Sequence, residues 1–209
     1  MKVIVFGATG TVGRLTVQSL LAEGHSVTAF ARTPDRLKLK APQLRLVAGD
    51  ATHPKDVCDA IAGHDAVVVT LGAGMSRRSL IRSQGTMNVI RGMQEHGVSR
   101  LICQSTLGAH ESWSNLNFFW KRIMFGALLK PVFKDHELQE KLVQASGLDW
   151  TLVRPGAFTD GPATGAYKEG FGAQERDLTL KITRADVAGF LTRQLSDLAY
   201  LHRAVSLSN

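Results

Sequence analysis

Apolar runs rich in branched side chains recur along the chain at Lys2-Phe6, Ser26-Ala31, Leu44-Ala48, Asp65-Leu71, Arg100-Ser105 and Asp149-Arg154, and they read as strands. Their continuous apolar character predicts burial on both faces. Between them, apolar positions recur at helical spacing over about 11–23, 54–63, 79–97 and 134–146. This alternation predicts an α/β, doubly wound, mostly parallel sheet covered by helices on both sides, in a single domain over 1–209. Thr183-Arg184-Ala185-Asp186 has capping-box spacing ahead of Val187, Phe190 and Leu191, so a late helix is expected there, followed by a last strand near Arg203-Leu207.

One segment departs from the rhythm. Residues 114–133 hold Phe118, Phe119, Trp120, Phe125 and Phe133, interleaved with Lys121, Arg122 and Lys130, with Lys134 just beyond. The region 110–134 is expected to form an aromatic, basic insertion on the substrate side. Three readings stay open: a helix with an aromatic core face, a wall over a flat anionic ligand or a dimer contact, and a patch on a membrane surface.

Composition narrows the class. With 44% hydrophobic and 21% charged residues, the chain is an ordinary globular protein, which excludes disorder and a disulfide scaffold. Cys58 and Cys103 are the only cysteines, and they read as buried thiols in a reducing compartment. His25, His53, His64, His96, His110 and His202 lack metal-ligand spacing and no GxSxG elbow occurs, so neither a metal nor a serine nucleophile is expected. The net charge of +7 attracts phosphates, anionic cofactors or nucleic acid. No recognition helix or aromatic RNA motif stands out, so nucleic acid is not the expected partner. No apolar stretch is long enough for a signal peptide or a membrane span, and a cytoplasmic location is expected.

The strongest local signal is Gly7-Ala8-Thr9-Gly10-Thr11-Val12-Gly13, between the first strand and the first helix. There the free N–H groups and dipole of the helix N-terminus can hold a pyrophosphate. The first glycine makes the turn, the second lets backbone approach the phosphates, and the third lets the helix pack close to the strand. A site for NAD would place a carboxylate at the end of the second strand, whereas this chain has Arg32, with Arg36 one turn later. Guanidinium groups suit the 2′-phosphate of NADP, so NADP(H) is the expected cofactor. Gly49-Asp50-Ala51 and Leu71-Gly72-Ala73-Gly74 follow the third and fourth strands, at the sheet end where such folds bind ligands. Asp50 can meet the adenine amino group there, or serve as a turn or helix cap.

The GATGxxG motif, Gly49-Asp50 and the run Ser146-Gly147-Leu148-Asp149-Trp150-Thr151-Leu152-Val153-Arg154-Pro155-Gly156 resemble an atypical short-chain dehydrogenase/reductase of the NAD(P)-binding, NmrA-like group, across essentially the whole chain. Asp135-His136, Asp160, Pro162 and Thr164-Gly165-Ala166-Tyr167 are most similar to its biliverdin reductase B, or flavin reductase, branch. The resemblance implies a monomer or weak homodimer that uses NADPH to reduce flavins, biliverdin-like tetrapyrroles or quinones. It assigns Gly7, Thr9, Gly10, Thr11, Val12 and Gly13 to the pyrophosphate, Arg32 and Arg36 to the 2′-phosphate, Asp50 and Ala51 to the adenine, and Leu71 and Gly72 to the ribose side. It sets Gln104, Ser105 and Thr106 beside the nicotinamide, Pro155, Gly156, Ala157 and Phe158 on its other flank, and His136 near the mouth. Two positions depart from the branch, which has serine at Thr106 and histidine at Ala157.

Carbonyl-reducing members of the superfamily use a Tyr-x-x-x-Lys pair as proton donor. Here Tyr167 and Tyr200 are followed four residues on by Phe171 and Ala204, and the resemblance sets Val132 and His136 at the positions of the pair. A flavin or quinone needs no matched internal acid, because its reduced anion is delocalised and takes a proton from solvent, so stacking and orientation suffice. Ser105, Thr106 and His136 are the candidate catalytic residues, His136 as a proton or hydrogen-bond donor or else as a surface or capping histidine. Two readings follow: an NADPH-dependent reductase of flat conjugated acceptors, or an NmrA-like regulator that senses NADP(H) without turnover.

Overall fold

The computed structural model describes residues 1–74 and 80–209. Position 79 of the expected third helix lies outside them. The main sheet has eight strands in the order β3-β2-β1-β4-β5-β6-β10-β8. These are β1 Lys2–Phe6, β2 Ser26–Ala31, β3 Leu44–Ala48, β4 Ala66–Val69, β5 Arg100–Gln104, β6 Asp149–Pro155, β8 Lys168–Glu169 and β10 Arg203–Ser208. All pairings in it are parallel except β10 with β8. The short strands β7 Ala157–Thr159 and β9 Lys181–Thr183 pair separately beyond the end of β6. The order reverses at β1, which lies between β2 and β4, and this switch point fixes the ligand crevice at the carboxyl ends of the strands.

The side chains of β1 show why both faces must be covered. Val3 and Val5 join one core with Val12, Val17 and Leu20 of α1 (Thr11–Ala22) and Val187, Phe190 and Leu191 of α5 (Arg184–Arg193). Ile4 and Phe6 join the other, with α2 (Pro54–Ile61), α3 (Ile81–His96) and α4 (Lys130–Gln144). Alternation along a strand thus feeds two separate cores. Thr183 caps α5 as its spacing predicts: its Oγ1 accepts from Asp186 N at 3.0 Å.

Several expectations need correction. β3 is an edge strand whose residues are half-buried or exposed, because one side of it meets no further strand. Cys58 is half-buried, while Cys103 is buried as expected. β4 stops two residues early where the chain turns into Gly72, and α4 begins at Lys130 rather than 134, with Pro131 in its first turn, where a missing N–H costs nothing. The insertion is a 3-10 helix at His110–Asn115, a π-helix at Phe119–Leu128 and the first turn of α4.

A buried ion network ties that insertion to the sheet. Arg154 of β6, 1% exposed, donates from Nε and Nη2 to the two oxygens of Glu140 on α4 at 2.9 and 2.7 Å, and from Nη1 to Glu111. One guanidinium therefore fixes β6, α4 and the 3-10 helix in one arrangement.

Candidate functional site

One cavity of about 860 Å³ runs across the carboxyl ends of the strands. Gly7, Thr9, Gly10, Thr11, Val12, Arg32, Arg36, Asp50, Ala51, Leu71, Gly72, Gln104, Ser105, Thr106, His136, Pro155, Gly156, Ala157 and Phe158 all line it. Gly13 does not. Its task is packing: a Cβ there would lie 2.3 Å from the Gly7 carbonyl oxygen and 2.7 Å from Thr70 Oγ1. Gly7 has φ +83, and a Cβ on it would come within 2.6 Å of the Thr70 carbonyl oxygen, so no other residue makes this turn against β4.

At one end, Arg32 and Arg36 are exposed, and among the described residues neither guanidinium has a hydrogen-bond or ion-pair partner. Arg36 sits in a 3-10 turn, Pro34–Leu37, one turn after Arg32, as its spacing implies. Asp50 Oδ1 accepts from Thr52 N at 2.9 Å and from Thr52 Oγ1 at 2.8 Å, and these bonds hold the carboxyl below its ordinary pKa. The carboxylate thus closes its own turn while lining the cavity.

The other end is apolar and aromatic. Leu116, Trp120, Phe125, Leu129, Val132 and Leu180 line it, backed by Phe133 and Trp113 in a small core of its own. Phe125 stacks against Phe133 at 4.7 Å and against Trp120 at 5.5 Å. The 114–133 segment is thus both core and cavity wall. Between the two ends, Gln104 Oε1 and Ser105 Oγ are buried and lack any hydrogen-bond partner among the described residues, and Thr106 Oγ1 has only a long 3.4 Å contact to the Leu107 carbonyl oxygen. Buried polar atoms are normally satisfied, so an acceptor and a hydroxyl left bare on one wall are what a bound carboxamide would complete. The residues present therefore fit the nicotinamide end of a dinucleotide.

The expectation for His136 needs correction. It is neither a surface nor a capping residue but 7% exposed, on α4. Gln139 Oε1 accepts from its Nδ1 at 3.2 Å, so the proton sits on Nδ1 and Nε2 is bare. Burial, aided by the nearby charge of Arg82, depresses its pKa to about 3. His136 is neutral near pH 7 and, in this tautomer, can only accept at Nε2. Neither tyrosine lines the cavity: Tyr167 packs on Phe190, and Tyr200 Oη donates to Glu169 Oε1.

Arg82, on the second residue of α3, carries no signal in the sequence that marks it as a site residue. Asp135 of α4 accepts from Arg82 N at 3.2 Å and from Ser83 N at 3.1 Å, which ties the start of α3 to α4 and carries the Arg82 side chain into the cavity. Its Nη1 lies 3.7 Å from Asp135, yet Nε and Nη1 are buried without a hydrogen bond among the described residues. Burial pulls its pKa below the usual arginine value without neutralising it. No sequence spacing links Arg82 to His136, because only the packing of α3 on α4 joins them. The same packing logic brings Cys58, Glu95 and His96 within 4.8 Å of one another on the outer face of α2 and α3, although the sequence shows Cys58 and His96 as isolated.

A parallel sheet with a glycine turn at its switch point, guanidinium groups after β2 and a cavity reaching an aromatic wall define a dinucleotide-binding oxidoreductase fold. Residues 7–198 match the NAD(P)H-binding family, and the chain belongs to it. It is 29% identical to the uncharacterized sugar epimerase YhfK of Bacillus subtilis, over 100% of this chain and 94% of that protein. Among solved structures it is similar to ChuY, an anaerobilin reductase of Escherichia coli O157:H7, with 28% identity, TM-score 0.80 and coverage of 99% and 96%. It also shares the fold of a short-chain dehydrogenase/reductase from Veillonella parvula solved with NADP, at TM-score 0.83 and 17% identity, covering 100% and 94%. Among the described residues no helix is long and apolar enough to cross a membrane.

Proposed function

We propose that the protein is an NADPH-dependent reductase that passes hydride to a flat conjugated acceptor, a flavin, a quinone or a biliverdin-like tetrapyrrole. The observation that carries this reading is that the cofactor end and the aromatic end are one cavity, meeting at Gln104, Ser105 and Thr106. Bound NADPH supplies two electrons as hydride, and the reduced acceptor takes its proton from water. Arg32 and Arg36 hold the 2′-phosphate, and Gly7 and Gly10 let backbone N–H groups approach the pyrophosphate. Asp50 and Ala51 border the adenine, and Leu71 and Gly72 the ribose. Gln104 and Ser105 orient the carboxamide, and Pro155, Gly156, Ala157 and Phe158 flank the ring. Trp120 and Phe125 stack the acceptor, which supplies proximity and orientation.

The proton inventory supports such an acceptor. Where a ketone reductase needs an acid, this cavity has Val132 and a neutral His136, with the hydroxyls of Ser105 and Thr106 beside them among the described residues. Arg82 offers a fixed positive charge to an anionic acceptor, whose charge grows as hydride arrives. The free thiols Cys58 and Cys103 favour a reducing, cytoplasmic compartment. Loss of nicotinamide absorbance from NADPH and NADH, on adding FMN, riboflavin, a quinone or biliverdin, tests the reading. Turnover with NADPH preferred is expected. Tight NADPH binding with no turnover of any acceptor overturns it in favour of a regulator that senses NADP(H).

A further inference from the structure

The π-helix has two faces. Its hydrogen bonds span five residues, as when Leu129 N donates to Met124 O at 2.7 Å, so residues four or five apart share a side. Trp120, Phe125 and Leu129 line the cavity. Phe119, Ile123 and Leu128 are on the other side, 50%, 44% and 45% exposed, and Phe118 just before the helix is 73% exposed. Four large apolar side chains exposed on one short element form a patch that marks an interaction surface.

The charge around this patch says what covers it. From Ser112 to Lys134 the chain has no Asp or Glu, while Lys121, Arg122, Lys130 and Lys134 are all cationic. Arg122, Lys130 and Lys134 are exposed and have no polar partner among the described residues. A second copy docked through the same face would set these cations against their equivalents. An anionic lipid surface complements them and accepts apolar rings beneath its headgroups. We propose that the outer face of residues 118–134 docks on an anionic bilayer surface, with Phe118, Phe119, Ile123 and Leu128 in the interface and Arg122, Lys130 and Lys134 at headgroup level, while Lys121 stays bonded to the Ser114 carbonyl oxygen. The segment lies on the bilayer without crossing it. Since a helix is about 10–12 Å across, the aromatic end of the cavity then stands one helix diameter from the lipid. A lipid-soluble quinone has a short route to it. That last step rests on the reductase reading, whereas the docking does not.

The test is co-sedimentation of the full chain with vesicles of phosphatidylcholine alone, or mixed with phosphatidylglycerol, at low and high salt. Retention is expected on the anionic vesicles at low salt, falling at high salt as the cations are screened. Each cation made neutral, as in Arg122→Gln or Lys130→Gln, is expected to weaken retention about fivefold. Phe118→Ser combined with Phe119→Ser is expected to weaken it about tenfold or more, and Phe118→Ser alone is expected to weaken it at unchanged melting temperature, because that ring is 73% exposed. No retention at low salt, or retention indifferent to the two serines, overturns the proposal. A dimer in light scattering that needs Phe118, without vesicle retention, also overturns it and assigns the face to self-association. Vesicle retention is read without turnover, so failure of the reductase reading and failure of the docking are separate outcomes.

Discussion

Replacing Arg32 with Ala separates the two nicotinamide cofactors by a calculable amount. The guanidinium makes no hydrogen bond or ion pair among the described residues and acts on the half-buried Asp50 only through space, so its removal leaves no fully buried charge behind. A hydrogen bond to a charged group contributes about 1.5–3 kcal/mol, and the solvent-exposed position of Arg32 places it at the lower end, about 1.5–2 kcal/mol. That is roughly a 10–30-fold rise in Kd for NADPH. NADH lacks the 2′-phosphate, so its Kd is expected to stay within about twofold. Arg36 shares the same phosphate, so the double variant Arg32→Ala, Arg36→Ala is expected to lose less than the sum of the single losses. Titration by nicotinamide fluorescence or calorimetry, with both cofactors at low and high salt, measures these quantities. Salt should narrow the gap for the native protein and leave the variants flat. Equal weakening of NADPH and NADH refutes the phosphate assignment, as does an unchanged preference.

Four further outcomes follow from the structure. Gly13→Ala drives a methyl into the Gly7 carbonyl, so it is expected to lower stability by about 1–3 kcal/mol and to weaken both cofactors alike, read by thermal melts and titration. His136 is neutral when folded, with a pKa of about 3, and titrates near 6.5 when unfolded. Its contribution is therefore complete above about pH 6.5 and is lost below it by about 1.4 kcal/mol per pH unit, down towards pH 3. Urea melts of the native chain and His136→Gln at pH 7 and at acid pH check this, a pH-independent difference counting against it. Arg154→Met strands the Glu140 carboxylate and is expected to cost about 3–5 kcal/mol, whereas adding Glu140→Leu should restore most of the loss in chemical denaturation. Arg82→Gln is expected to raise KM for FMN more than for riboflavin while leaving the Kd of NADPH within about twofold; equal changes for both flavins would remove its role as an anion anchor.

The parts of this molecule legible in its sequence are those whose information is local. The glycine turn, Arg32 and Arg36, and Thr183 with Asp186 each lie within one turn or strand end, so spacing alone fixes their geometry. Strand runs such as Ser26-Ala31 and Arg100-Ser105 are legible because burial on both faces demands unbroken apolar sequence. β3 breaks that rule: Leu44-Ala48 carries the same pattern, yet nothing in its sequence says that no further strand lies beyond it. β7, β8 and β9 are two or three residues long and have no periodicity to detect.

The polar side chains of the site are hidden for a different reason. Arg82 and His136 are more than fifty residues apart, and what joins them is Asp135 accepting from the first turn of α3. That contact carries Arg82 into the cavity and, with burial, holds His136 neutral. A histidine read in isolation carries its solution pKa and looks like a proton donor. Placed 7% exposed beside a guanidinium, with its Nδ1 proton given to Gln139, it becomes an acceptor with no proton to offer. The same tertiary step that removes an acid from the cavity installs there an arginine braced by Asp135, whose Nε and Nη1 keep no hydrogen bond among the described residues. On the proposed reductase reading, both changes favour an acceptor that receives hydride as a delocalised anion over one that must be protonated as it is reduced.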